Sequence, residues 1–428
     1  MQLDGLDDVI SVVTLTVLYV ATALTAMATF LLRSQAGRLG LLDRPGGHKA
    51  HEGAVPVVGG LAMWIGFAAA LLVPTGHWQL LGPLIGGASV LVLLGAYDDA
   101  QGLTPRLRLL SHAVVATLVI YAIGPAARLE TLGDFVGMGP VALGLWSFPF
   151  TVFVMVAAIN AFNMLDGLDG LAGGVTFAIA LVLLVAMGTG LRTEWAPVLT
   201  ALVGVTAAFL CFNAPMMLQR PARIFMGDAG STFLGFTLAL VLVSVCQGAD
   251  PLVSPVNAIW CLFVPATEVL QSTVRRLLSG RSPFAPDRGH LHHQLLAAGY
   301  AVRTIFFLYI GVSVLGCVLA QTFQYLQVPD AVSFVVLLLA SATCTGLVHA
   351  QTVRARSALI EEQHSVLAAS IGDVPHVGGV VGLDQRHYRT ERGVLSTLTN
   401  PNEPVRPTFV TPEFGPPDVE PAADSDVA

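Results

Sequence analysis

Charge is what this chain has least of. Only 11% of its 428 residues are Asp, Glu, Lys or Arg, against roughly 25% in a soluble globular domain. With 54% hydrophobic residues and a mean hydropathy of +0.72, too few polar side chains are left to cover a water-exposed surface. A soluble enzyme and a nucleic-acid binder with a basic face are excluded. Cysteine is scarce as well: Cys211, Cys246, Cys261, Cys317 and Cys344 stand singly in or beside apolar runs, without metal-ligand spacing. That excludes a disulfide scaffold and suits small buried hydrophobes. The opening MQLDGLDD is acidic, where a cleavable signal starts basic, so the first apolar run is expected to stay as an anchor.

What the chain does have is long apolar runs. Eleven of them, near 9–32, 56–73, 79–96, 109–124, 140–159, 171–188, 195–212, 229–247, 255–272, 304–324 and 329–350, approach the length needed to cross ~30 Å of hydrocarbon. They are continuous rather than alternating, which argues against a β-barrel. The expected fold class is all-α, a polytopic integral membrane protein with about eleven spans and catalytic loops on one side. Domain 1–350 would be the membrane catalytic unit. The segment 351–428, with 11 acidic and 6 basic residues and eight prolines after Val374, reads as a mostly disordered tail, with a short amphipathic stretch near 353–370.

Basic residues sort by side. Arg33, Arg38, Arg44, Lys49, Arg106, Arg108, Arg220, Arg223, Arg275, Arg276, Arg281, Arg288 and Arg303 fall in one set of loops, and only Arg128 and Arg192 in the other. The positive-inside bias puts the first set and the tail in the cytoplasm and the N-terminus outside.

The acidic residues concentrate on that same side. Asp43, Glu52, Asp98, Asp99, Asp166, Asp169, Asp228 and Asp287 lie in the basic loops, and Glu268 lies toward the same end of the ninth span. Carboxylates at a membrane are expensive and mark function. Five loops on this side carry unusual chemistry: HKAHEGAVPVVGG (48–60), YDDAQGLTPRLR (97–108), NAFNMLDGLDGLAGG (160–174), RIFMGDAGSTFLG (223–235) and RRLLSGRSPFAPDRGHLHHQL (275–295).

In the third loop, Asn160, Asn163, Asp166 and Asp169 recur every three residues. On a helical turn they would share a face, and Gly167, Gly170, Gly173 and Gly174 would let a ligand approach the backbone. A solvated helix start with Asp as cap is the plainer alternative. Asp228, between Gly227 and Gly230 before an apolar span, suits either an N-cap or Mg²⁺, which takes few protein oxygens. The helix start beside it would favour anions. Asp98 and Asp99 can bind a metal, take a proton or order their loop through Arg pairing. Arg106 and Arg108 suit a lipid phosphate, and also suit ordinary positive-inside residues. His290, His292 and His293 lie close to Arg276, Arg281 and Arg288. They lack the cysteine or His pair at i, i+4 that zinc would want, and fit an anionic substrate better. Lys49 and His51 in the first loop are suggestive.

Together, NAFNMLDGLDGLAGG and FMGDAGSTFLG, with YDD upstream and SPFAPDRGHLHH downstream, resemble the polyprenyl-phosphate N-acetylhexosamine-1-phosphate transferases. The likeness covers about 43–303, with the motifs in the family's order. The DRGHLHH loop is similar to the branch that uses UDP-GlcNAc and undecaprenyl phosphate. The peptidoglycan branch instead carries three consecutive histidines. Glu268 stands where relatives usually show Asp, and Tyr97 replaces a small or apolar residue before the DD pair.

The resemblance implies transfer of GlcNAc-1-phosphate to undecaprenyl phosphate, starting a cell-envelope polysaccharide such as O-antigen or common antigen. Another UDP-N-acetylhexosamine is the alternative donor. It implies Mg²⁺, with Mn²⁺ able to substitute, held by Asp228 and Asn163. Asp98, Asp99, Asp166, Asp169 and His290 would be catalytic. Lys49, His51, Arg106, Arg108, Asn160, Asn163, Gly167, Arg276, Arg288, His292 and His293 would bind substrate. The expected location is the bacterial inner membrane, with a homodimer compatible and no nucleic-acid partner. An aspartate-rich prenyltransferase explains neither the glycine-spaced third loop nor the histidines. An anion transporter would place its polar residues near the midplane.

Overall fold

The computed structural model describes residues 4–43, 53–73, 76–135, 137–187, 194–215, 222–248, 251–282 and 289–372. One compact unit covers Met1–Gln363, and a second, His364–Ala428, is described as far as residue 372, where it is helical. The first unit is built from helices, with a two-residue antiparallel pairing of β1 (Leu42–Asp43) and β2 (Val55–Pro56).

Among the described residues, eight helices are long and apolar enough to cross a membrane, so the protein is an all-α, multi-pass membrane protein. They are α1 (Asp4–Leu39), α3 (Trp78–Gln101), α4 (Pro105–Ile123), α5 (Ser147–Leu165), α7 (Ala196–Asn213), α8 (Gly227–Val245), α12 (Val302–Tyr325) and α13 (Asp330–Gly372). Between them lie two shorter apolar helices, α2 (Gly59–Leu71) and α6 (Leu171–Met187). At 1.5 Å per residue, the 13 residues of α2 reach about 20 Å, short of a full crossing.

The expected ninth span is broken at Leu262 into α9 (Pro255–Cys261) and α10 (Phe263–Leu278). Pro265 has no N–H to give to the Cys261 carbonyl, and that carbonyl faces the Cys317 thiol at 4.0 Å. Eleven uninterrupted crossings are therefore not what the described residues form. The last span also differs from expectation, because α13 continues past residue 350 to Gly372. Residues 351–371 contain neither Gly nor Pro, so nothing in that stretch ends the helix.

α8 is the hub. Its side chains are buried almost throughout, and α2, α3, α5, α6 and α9 pack around it. The approach of α2 depends on a missing side chain: a Cβ at Gly60 would lie 2.2 Å from the Gly230 nitrogen. Strand-like bonds then tie the entry of α2 to the entry of α8. Phe225 N–H donates to Pro56 O at 2.8 Å, Gly59 N–H to Phe225 O at 2.9 Å, and Gly60 N–H to Met226 O at 3.0 Å. The ends of the first and fourth motif loops are thus one structure. A short helix, α11 (Leu291–Ala297), carries the histidines and packs on α12.

Candidate active site

At the ends of α3, α5 and α8 a cavity of about 510 Å³ opens, lined by Asp43, Asp99, Asp166, Asp169 and Asp228 together with Asn163 and Asn213. Five carboxylates from four parts of the chain share one space.

Each is placed by its element. α5 ends at Leu165, and Asp166 leaves helical geometry at φ −77°, ψ 43°. Asn163 is therefore on a helix while Asp166 and Asp169 are on the turn that follows. The single helical face expected from their spacing is replaced by a turn that still brings all three to the cavity. Asn213, at the end of α7, pins this turn by accepting from Gly170 N–H at 2.5 Å, and ties it to the fourth loop by donating to Ile224 O at 2.7 Å. Asn160 turns away: its amide donates to Val156 O of its own helix at 2.7 Å.

The adjacent pair Asp98–Asp99 divides. Asp99 accepts from the N–H groups of Asp228 at 2.8 Å and Ala229 at 3.2 Å, so it caps α8 from another helix. Gly227, at φ +73°, turns the chain so that these two N–H groups face it. Asp98 is buried and does not line the cavity. One oxygen accepts from Leu103 N–H at 2.6 Å, and the other meets Arg108 Nε at 2.6 Å. Of the roles open to this pair, Asp98 takes Arg pairing. The same guanidinium reaches Asp228 at 3.1 Å, which makes Arg108 a bridge between two carboxylates. Arg106 is exposed at the start of α4.

Asn163 Oδ1 accepts from the Thr232 hydroxyl at 3.3 Å, while its Nδ2 is buried without a partner among the described residues. Asp166 lies just beyond the α5 span, and its carboxyl is raised well above the ordinary range. Burial is the main cause, and Asp228, Asp99 and Asp169 add to it. Among the described residues, no three His, Cys, Asp or Glu side chains cluster tightly enough to enclose a metal ion by themselves.

The histidines form a second layer. His290 is the N-cap residue of α11, with Nδ1 3.0 Å from Ser272 Oγ. His292 is fully buried, its Nδ1 is 3.0 Å from Glu268 Oε1, and its ring lies 4.3 Å from that of half-buried His293. Arg276 is largely buried on α10. A Cβ added to Gly167 would lie 2.5 Å from His292 Nε2, so the histidine helix backs directly onto the Asp166–Asp169 turn. Lys49, His51 and Arg288 lie outside the described residues. Sequence reasoning gave no site role to Asn213, Tyr309 or Glu268. Glu268 did carry a signal, a lone carboxylate in an apolar run.

The fold and cavity define a multi-pass membrane protein whose motif loops converge on a carboxylate-rich pocket at one end of its helices. Residues 81–246 match the family described as glycosyl transferase family 4. The chain is 34% identical to the undecaprenyl-phosphate alpha-N-acetylglucosaminyl 1-phosphate transferase of Salmonella typhi, over 74% of this chain and 86% of that protein. It is 33% identical to the protein of that name from Escherichia coli K12, over 74% and 86%. The one from Haemophilus influenzae is 34% identical, over 68% and 82%. The chain belongs to glycosyl transferase family 4.

Proposed function

We propose that this protein transfers GlcNAc-1-phosphate from UDP-GlcNAc to undecaprenyl phosphate at the cytoplasmic face of a bacterial inner membrane, as the first membrane step of a cell-envelope polysaccharide. The observation that carries the reading is the convergence of Asp99, Asn163, Asp166, Asp169 and Asp228 on one cavity, in a chain whose relatives bear that activity in their name.

The donor set fits Mg²⁺. Its oxygens are hard, Asn163 Oδ1 keeps a lone pair beyond the one that accepts from Thr232, and Mg²⁺ needs only one or two protein ligands when phosphates supply the rest. Asp228 and Asn163 would hold it, and Mn²⁺ would substitute. When bound, the ion neutralises charge on the pyrophosphate as a Lewis acid.

The chain's own groups position the substrates. Asp166 and Asp169 orient the nucleotide on their turn. Arg108, steadied by Asp98, faces the lipid phosphate. That phosphate has a second pKa of about 6, so it is mostly dianionic at neutral pH and attacks without a strong base. Its oxygen bonds to the β-phosphorus of the donor, the bridge to the α-phosphate breaks, and UMP leaves. Catalysis is by alignment and electrostatics.

The test is UMP release by purified protein with undecaprenyl phosphate and Mg²⁺, offered UDP-GlcNAc, UDP-GalNAc or UDP-MurNAc-pentapeptide. Release from UDP-GlcNAc, lost with EDTA and in Asp228→Ala, is expected. Release from the pentapeptide alone overturns the donor assignment, and release that persists in EDTA overturns the metal.

A further inference from the structure

Glu268 is a fully buried carboxylate to which the cavity chemistry gives no task. Four donors surround it: Leu291 N–H at 2.8 Å and His292 N–H at 3.2 Å from the α11 backbone, His292 Nδ1 at 3.0 Å, and the Tyr309 hydroxyl at 2.6 Å. A carboxylate accepts only, so the His292 nitrogen facing it, Nδ1, carries a proton. Nε2 is buried, has no partner among the described residues, and lies where a side chain on Gly167, on the wall of the cavity, would begin. A hydrogen on Nε2 would be a buried donor with no acceptor there, so the neutral Nδ1–H form is the one that fits.

We propose that Glu268 is a positioning residue that acts through His292: by fixing the imidazole with Nε2 unprotonated, it seats the ring on Gly167 and sets the Asp166–Asp169 turn relative to Asp228. The proposal deepens the transfer reading and rests on it for its kinetic arm. Its geometric arm stands apart from any activity. Glu268→Gln keeps size and burial but removes the charge: its one oxygen stays where the His292 and Tyr309 donors meet, its amide NH2 turns toward Leu291 N–H, and the anion's hold on the Nδ1 proton is weakened. Glu268→Asp keeps the anion at one methylene less.

The experiment uses full-length protein in detergent with ¹⁵N-labelled histidine, the His292 signal being assigned by its loss in His292→Asn. Wild type is expected to show a protonated Nδ1 and a bare Nε2, and Glu268→Gln a mixture of the two tautomers. The kcat for UMP release from UDP-GlcNAc, per folded enzyme, is expected to fall about 10- to 100-fold in Glu268→Gln. KM should change less, and Glu268→Asp should recover most of the loss. A purely structural Glu268 would change the yield of folded protein and leave kcat per folded enzyme alone.

If Glu268→Gln does not fold, Gly167→Ala carries the test. Its methyl collides with Nε2, and His292→Asn, with a shorter side chain, is expected to rescue it in thermal unfolding. An unchanged tautomer in Glu268→Gln, an unchanged kcat, or strictly additive effects of Gly167→Ala and His292→Asn each overturn the proposal. Absence of UMP release by wild type from every UDP-sugar would defeat the transfer reading, while the tautomer and the Gly167–His292 coupling still decide this one.

Discussion

Arg108 offers the sharpest test of how the site is held. Its guanidinium meets Asp98 at 2.6 Å and Asp228 at 3.1 Å, and the Asp98 side chain is only 4% exposed. In Arg108→Ala the Asp98 carboxylate keeps its bond from Leu103 N–H but loses its cation. Stranding one charge of a buried pair costs ~3–5 kcal/mol. The Arg108 side chain is 32% exposed, so solvent and mobile ions take over part of its role, and about 1–3 kcal/mol is expected.

Arg108→Lys should recover only part of this, since an ammonium cannot bridge two carboxylates in the planar fork geometry. The assay is equilibrium unfolding in mixed micelles, run as a double-mutant cycle with Asp98→Asn. The neutral amide removes the stranded charge, so the double variant should be more stable than the sum of the single losses implies. A coupling energy within ~0.3–0.5 kcal/mol of zero would refute the claim that Arg108 is held chiefly by Asp98. A second readout is KM for undecaprenyl phosphate, which should rise in Arg108→Ala more than KM for UDP-GlcNAc.

Removing the remote cap in Asp99→Ala strands the Asp228 and Ala229 N–H groups and should destabilise the fold by ~1 kcal/mol, with Asp99→Asn milder, as read by thermal unfolding. For Asp166 the sign follows from linkage. Its folded-state affinity for protons lies above the ordinary value of 3.8, so without divalent ions the folded state binds more protons, and stability falls as pH rises from about 4 toward the raised value. Asp166→Asn should remove that slope and melt higher than wild type at neutral pH, yet release no UMP. Scanning pH against melting temperature in EDTA checks this.

The apolar runs made the helices legible, because hydrocarbon length and continuity are local properties. What was not legible was where a run stops being a crossing. The break at Leu262 comes from Pro265, whose effect depends on which carbonyl lacks a partner. Carboxylate density pointed to the loops whose Asp99, Asp166, Asp169 and Asp228 meet in one cavity. Roles were not legible: Asp98 and Asp99 are neighbours in sequence, yet about 100° of helical rotation sends one to Arg108 and the other to α8. The spacing of Asn160 matched that of Asn163, but its amide bonds Val156 O of its own helix, a competition that spacing does not reveal. Glu268 stands in the sequence as a lone carboxylate in an apolar run, and its partners on α11 and α12 come to it only when those helices are packed against α10.

The capping of α8 also bears on how phosphate is recognised. A helix start beside Asp228 is expected to attract anions through its free N–H groups. Here Asp99 already takes two of them, and the positive end of the helix dipole is spent on a carboxylate. A pyrophosphate entering the cavity meets Asp43, Asp166, Asp169 and Asp228, and no longer meets a bare helix terminus. Like charges at such separations repel strongly where water is scarce. Binding therefore needs positive charge introduced between the carboxylates and the phosphates. Arg108 has the right sign, but its single charge is already shared between Asp98 and Asp228, which leaves too little to neutralise a pyrophosphate as well as the lipid phosphate. A divalent cation held by Asp228 and Asn163, as proposed above, would offset both repulsions. The proposed metal would thus supply the positive charge that the capped start of α8 no longer offers.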